Sequence, residues 1–150
     1  MTRIDGNMRS CLWVIIIFIL AIALAILIES TGEASHLDED TVLLARMITQ
    51  EAGAEPYLGK VAVGWVARNR VESSVSWWGT TYRTVILKPY QFYIHERYTQ
   101  EAYTIAEMVI GGRIEDPMDG ATHFHMDYIN PPWADELTYL GQTGNHKFYK

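Results

Sequence analysis

With 150 residues, 12 basic against 18 acidic side chains and a formal net charge of −6, the chain lacks the basic surface that a nucleic-acid partner requires. Its single cysteine, Cys11, excludes an internal disulfide, so stability has to come from a packed core. The length beyond the first forty or so residues is enough for one domain with one core.

The first ten residues hold Arg3 and Arg9 and form a short basic tail. From Cys11 to Ile28 no side chain is charged. At about 1.5 Å per residue this 18-residue run spans roughly 27 Å, close to the hydrocarbon thickness of a bilayer, and predicts one transmembrane helix. Glu29, Glu33, Asp38, Glu39 and Asp40 follow it, so the basic end is expected to stay in the cytoplasm and the rest to face the periplasm or the outside. The alternative is a signal peptide cleaved near Ala34, where Gly32-Glu33-Ala34 supplies small residues; the run is longer than the usual h-region of about 7 to 15 residues, which favours a retained anchor. Residues 29–39 then form an acidic linker, and 40–150 form the exported domain.

Within that domain, Leu43, Leu44, Met47 and Ile48 recur at helical spacing after an N-cap at Asp40 or Thr41. Glu51 extends the same face, three and four positions past Ile48 and Met47, and Gly53 with Glu55-Pro56 ends the helix. A carboxylic acid against an apolar wall has its pKa raised because burial disfavours the anion, and an acid still protonated near neutral pH can protonate a leaving group. Glycoside cleavage needs such an acid.

A second helix is predicted from Pro56 to about Val71, with Leu58, Val61, Ala62, Trp65, Val66 and Asn69 on one face. Glu72 to Thr80 reads as a loop whose adjacent Trp77 and Trp78 either stack on sugar faces or divide between core and rim. Thr81 to Leu87 is compatible with a short helix or a strand. Ala102, Ile105, Ala106 and Val109 mark a helix from Thr99 to Ile110, stopped by Gly111-Gly112. Ala121 to Met126 and Tyr139 to Tyr149 then predict a small hairpin or irregular sheet. The fold class is α+β and mainly helical, with the sheet near the C-terminus.

Three blocks now carry a family resemblance. Glu51-Ala52-Gly53-Ala54-Glu55-Pro56-Tyr57 continuing to Asn69-Arg70-Val71, then Gln91-Phe92, then Gly120-Ala121-Thr122-His123-Phe124 with Pro132-Trp133 and Gly144-Asn145-His146-Lys147-Phe148-Tyr149, resemble the cell-wall hydrolases related to the spore cortex-lytic enzyme. The resemblance implies a lysozyme-like domain that cuts peptidoglycan glycan strands as a lytic transglycosylase. It maps the family's catalytic glutamate, the first of a Glu-Ala-Arg-Gly-Glu motif, to Glu51 and the second glutamate, in a supporting role, to Glu55. Gly53 and Ala54 stand where that motif has Arg and Gly. Tyr90, Gln91, Phe92, Thr122, His123, Asn145, His146, Phe148 and Tyr149 are the candidates to line a glycan groove, aromatics stacking on sugars and amides reading acetamido groups.

Two chemistries compete for the site. A two-carboxylate glycosidase needs a second acid, for which Glu55, Asp119 and Asp127 are available. A single-acid mechanism needs only Glu51, which first protonates the glycosidic oxygen and then accepts the proton of the sugar's own C6 hydroxyl. His123 and His125 alternate onto one strand face and, with His146 or Asp127, form a rival zinc set; without a Cys or a His-Glu-x-x-His helix the expectation is no metal and no cofactor. The contrasting class is an anchored glycan-binding protein without activity. A phage endolysin and a bacterial wall-remodelling enzyme fit the chain equally.

Overall fold

The computed structural model describes the backbone of residues 6–150 and the side chains of 15–26 and 38–150. The chain divides into two units, Met1–Asp38 and Glu39–Lys150. Of the first, the described side chains form a helical stretch that leaves Ile15, Ile16, Ile17, Phe18, Ile19, Leu20, Ile22, Leu24 and Ile26 exposed. Among the described residues no helix is long and apolar enough to cross a membrane. The span expected at 11–28 lies partly outside them.

Helix α1 runs Gly6–Ala52, so no cap interrupts it at Asp40 or Thr41 and residues 29–39, expected as a linker, are helical in backbone. In the second unit three of the four stripe residues, Leu44, Met47 and Ile48, are inaccessible to solvent, while Leu43 is half-buried against the core; Ala45 is buried with them. Helix α2, Tyr57–Glu72, is the centre of the domain. Val61, Ala62, Val63, Val66 and Ala67 are all buried, and a helix apolar on most sides is one enclosed by its neighbours. The stripe is rotated from the expected face: Leu58 is exposed, and Gly59 sits in its place against the Glu55 side chain. Gly64 lets the Ile48 and Val109 side chains close on the α2 backbone, where an added Cβ would stand 3.1 and 3.4 Å from them.

Helix α3, Tyr82–Ile86, settles the ambiguous segment as helical, because Thr81 and Thr84 form a reciprocal capping box. Helix α4, Gln100–Ile110, is capped by the Thr99 side chain accepting from the Ala102 N–H at 3.1 Å. Strands β1 (His123–Met126), β2 (Tyr139–Thr143) and β3 (His146–Tyr149) make an antiparallel sheet in the order β1-β3-β2, with a 3-10 turn at Pro132–Asp135 between β1 and β2. The expected small sheet is therefore present and three-stranded.

Alternation sorts the sheet's side chains. Phe124 pairs with Phe148 and Met126 with His146 on the face toward the helical core, whereas His123 and His125 pair with Tyr149 and Lys147 on the other. Phe148 is completely buried in the core cluster.

Candidate active site

The end of α1, the loops before and after α3, the last turn of α2, β1 and the 3-10 turn surround a cleft of about 330 Å³. Glu51, Arg70, Trp77, Tyr90, Gln91, Phe92, His123, Phe124 and Trp133 line it. It has the size of a small-ligand site and the aromatic lining that suits sugar faces.

Glu51 is the only carboxyl among the described lining residues. It is half-buried, and burial raises its pKa above the ordinary value; the Tyr93 N–H, which donates to Oε1 at 2.5 Å, and the charge of Arg70 pull in the other direction without cancelling the rise. This is the arrangement an acid catalyst requires: burial that favours the protonated form, with a donor and a cation ready for the carboxylate once it forms.

Arg70 is the cation. It is buried, its Nε donates to the Thr122 carbonyl at 2.7 Å, and Nη1 donates to Gln91 Oε1 at 3.1 Å. Its guanidinium lies over the Phe92 ring at 4.8 Å and near Trp78 at 5.6 Å. Burial brings its pKa down to about 10, with Glu51 opposing, so it stays charged at neutral pH. His123 is pushed down, first by burial and then by Arg70, so its imidazole is neutral there.

Of the residues expected at the groove, Glu51, Tyr90, Gln91, Phe92 and His123 converge on the cleft. Tyr90 stands at its rim fully exposed, with φ at 64° in the left-handed region that non-glycine residues seldom adopt. Thr122 stands behind the wall, its carbonyl on Arg70 and its hydroxyl 3.0 Å from His123 Nδ1.

The closing block is different. Phe148 is a core residue and not a groove residue, because its strand position points into the helical core. Tyr149 is buried against Trp133 and Tyr139, with its hydroxyl 2.9 Å from His125 Nε2. His146 is buried against Phe124, and its Nδ1 has no hydrogen-bond partner. Asn145 donates to both oxygens of Glu55, from its backbone N–H at 2.8 Å and from Nδ2 at 3.2 Å. Glu55 is thus tied to the β2–β3 turn and is not among the lining residues. Asp127 and Asp119 are likewise not among the lining residues.

The rival zinc set is separated by the pleat. His146 lies on the opposite face from His123 and His125, and the Trp133 ring packs against both of these, tilted to His123 at 5.2 Å and edge-to-face with His125 at 5.5 Å. His125 uses both nitrogens, one on the Met126 carbonyl at 2.8 Å and the other on Tyr149. Among the described residues no group of three or more His, Cys, Asp or Glu is placed to hold a metal ion.

Arg70, Trp133, Phe124 and the Tyr93 N–H are site components that the sequence reading did not assign. Arg70 had a signal: it continues the buried α2 series Val63, Val66 and Ala67 at three- and four-residue spacing, and a charged residue on a buried stripe marks a site. The Tyr93 N–H had none, since backbone donors carry no residue signature.

The profile of the cell wall hydrolase family matches residues 54–149. The match begins three residues after Glu51. Among solved structures, the catalytic domain of the Bacillus cereus SleB protein is similar at 30% identity and a TM-score of 0.66, over 74% of this chain and 89% of that one. The catalytic domain of the germination-specific lytic transglycosylase SleB from Bacillus anthracis is similar at 29% identity, with the same TM-score, over 74% of this chain and 93% of that one. Comparison with curated protein sequences finds no match.

Proposed function

The chain belongs to the cell wall hydrolase family, and on that footing we propose that it is a peptidoglycan-cutting glycosidase acting as a lytic transglycosylase, with Glu51 as its one catalytic acid. The observation that carries this reading is the solitary carboxyl of the cleft. A hydrolase working through two carboxylates needs a second acid within about 5 to 9.5 Å of the first, and no other described carboxyl lines this cavity. Glu51 alone can serve both halves of an intramolecular reaction. It gives its proton to the bridging oxygen between N-acetylmuramic acid and N-acetylglucosamine as the glycosidic bond breaks. Its carboxylate then takes the proton of the C6 hydroxyl, whose oxygen bonds to the anomeric carbon and closes a 1,6-anhydro ring.

Digestion of purified sacculi followed by mass spectrometry tests this. The expected muropeptides end in 1,6-anhydro muramic acid and are about 18 mass units (one water) lighter than hydrolysis products. Reducing ends in their place would mean that water attacks. Glycan binding with no cleavage would make the chain an anchored binding protein.

On the same reading, an N-terminal anchor holds the domain outside the cytoplasmic membrane. The support is the uncharged run at 11–28, the basic residues before it and the exposure of every large apolar side chain described within it. A phosphatase fused after Lys150 is expected to be active; an inactive fusion beside a working cytoplasmic reporter would reverse the topology.

A further inference from the structure

We propose that Arg70 is a positioning residue for the cleavage step: its fixed guanidinium stabilises the carboxylate left on Glu51 when the glycosidic oxygen is protonated, and so keeps that proton transferable. This rests on Glu51 being the acid.

The geometry carries the inference. A buried arginine is costly unless its donors are used, and here the ones with identified partners meet only neutral acceptors, the Thr122 carbonyl and the Gln91 amide. Nothing in those two contacts neutralises the charge. They hold it still, with the Phe92 ring against the guanidinium, while the cleft joins it to Glu51. A cation anchored in a partly desolvated cavity acts on a neighbouring carboxyl far more strongly than a mobile surface lysine would. Burial by itself favours the proton on Glu51. Arg70 from α2 and the Tyr93 N–H from the loop after α3 oppose that effect. The other titratable groups that face the cleft are His123 from β1, neutral at working pH, and Tyr90. Neither supplies a positive charge.

The test is the pH dependence of sacculus digestion by the full-length chain in mild detergent, which reports the proton affinity of the acid in the substrate complex. Arg70→Gln should move the alkaline limb up, by about 1 pH unit at most, since Arg70 shares the cleft with Glu51 and an opposite charge lowers an acid's pKa. The plateau rate should fall as well, because a weaker acid donates less readily. Arg70→Lys should bring the limb back toward the wild-type position, which a purely structural role for the arginine would not do. Should Arg70→Gln fail to fold, Gln91→Asn decides: it stays neutral and polar but withdraws the acceptor from Nη1, and the limb should shift in the same direction by a smaller step. An unmoved limb in whichever of the two variants folds, with Glu51→Gln inactive, overturns the proposal. Activity in Glu51→Gln would instead remove the reading beneath it.

Discussion

Asn145 holds both carboxylate oxygens of Glu55, so the turn between β2 and β3 is tied to the elbow between α1 and α2 across 90 residues of sequence. Glu55→Gln turns one of those oxygens into an NH2 group facing a donor. The expected loss is about 1–3 kcal/mol of stability, the usual cost of leaving a buried partner unmatched. Activity per folded molecule should fall far less than in Glu51→Gln. Thermal unfolding beside a sacculus assay separates the two effects, and a large rate loss at unchanged Tm would give Glu55 a chemical role.

The same junction requires a glycine. Gly144 has φ at +57°, and a Cβ there would stand 1.8 Å from Glu55 Oε2 and 2.7 Å from Pro56. Gly144→Ala should therefore lower stability by about 2 kcal/mol or more, the sum of left-handed strain and a contact that must be relieved by moving Glu55. Combined with Glu55→Ala, the part of the clash due to Glu55 should disappear while the Pro56 contact remains, so the double variant should lose less than the sum of the two single losses.

Much of this architecture is legible in the sequence because it follows from periodicity. The stripe Leu44, Met47 and Ile48 leads directly to Glu51, and the glycines and prolines mark the helix ends. What was not legible depends on three-dimensional closure. Phe148 and Tyr149 are adjacent aromatics in a strand, and only the register says that one enters the helical core while the other meets Trp133 and His125. Leu58 reads as part of an apolar face, yet the close approach of Glu55 to Gly59 turns that face by one position. Arg70 continues a buried stripe, but its partner, the Thr122 carbonyl more than fifty residues later, is fixed only by the closure of β1 on α2.

The paired tryptophans should separate by function. Trp77 is 57% exposed, lines the cleft and carries Lys88 Nζ over its ring at 4.0 Å, whereas Trp78 meets His123 and Arg70 within the wall. Trp77→Ala should weaken binding of glycan oligomers by about 1–2 kcal/mol, or roughly ten-fold, with little change in Tm. Trp78→Ala should lower Tm first. Equal effects on Tm from both would place Trp77 in the core as well.

Acid should destabilise the domain through its histidines. His146 and His123 both have pKa values lowered by burial, so in the folded state they bind fewer protons than in the unfolded chain. Their contribution is fully present above the ordinary histidine pKa of 6.5 and is lost as pH falls from there through the folded values. Tm should decline below about pH 6.5, and His146→Phe should flatten part of that decline, since a phenyl ring has nothing to protonate, although it also gives up the approach of Nδ1 to Glu55 Oε1 at 4.0 Å. An unchanged slope in His146→Phe would assign the effect to His123 or to neither.

Glu51 carries the opposite sign, and that makes Glu51→Gln the most informative variant. Its pKa is raised on folding, so the folded state binds more protons and its contribution to stability is lost as pH rises from 4.5, the ordinary value, through the folded one. Above its folded pKa the wild-type protein therefore bears the cost of a partly desolvated charge that glutamine does not have. Glu51→Gln should unfold at a higher temperature than wild type at pH 7 and above, and the gain should shrink toward pH 4, where wild type is itself protonated. Loss of the acid should lower the rate by about 10² to 10⁴, with more if the same group also serves as the base. A variant that is more stable, still binds sacculi and releases no fragments is what a carboxyl held out of water for catalysis predicts. A variant less stable at neutral pH, or one that still releases fragments, would return Glu51 to an ordinary place at the end of a helix.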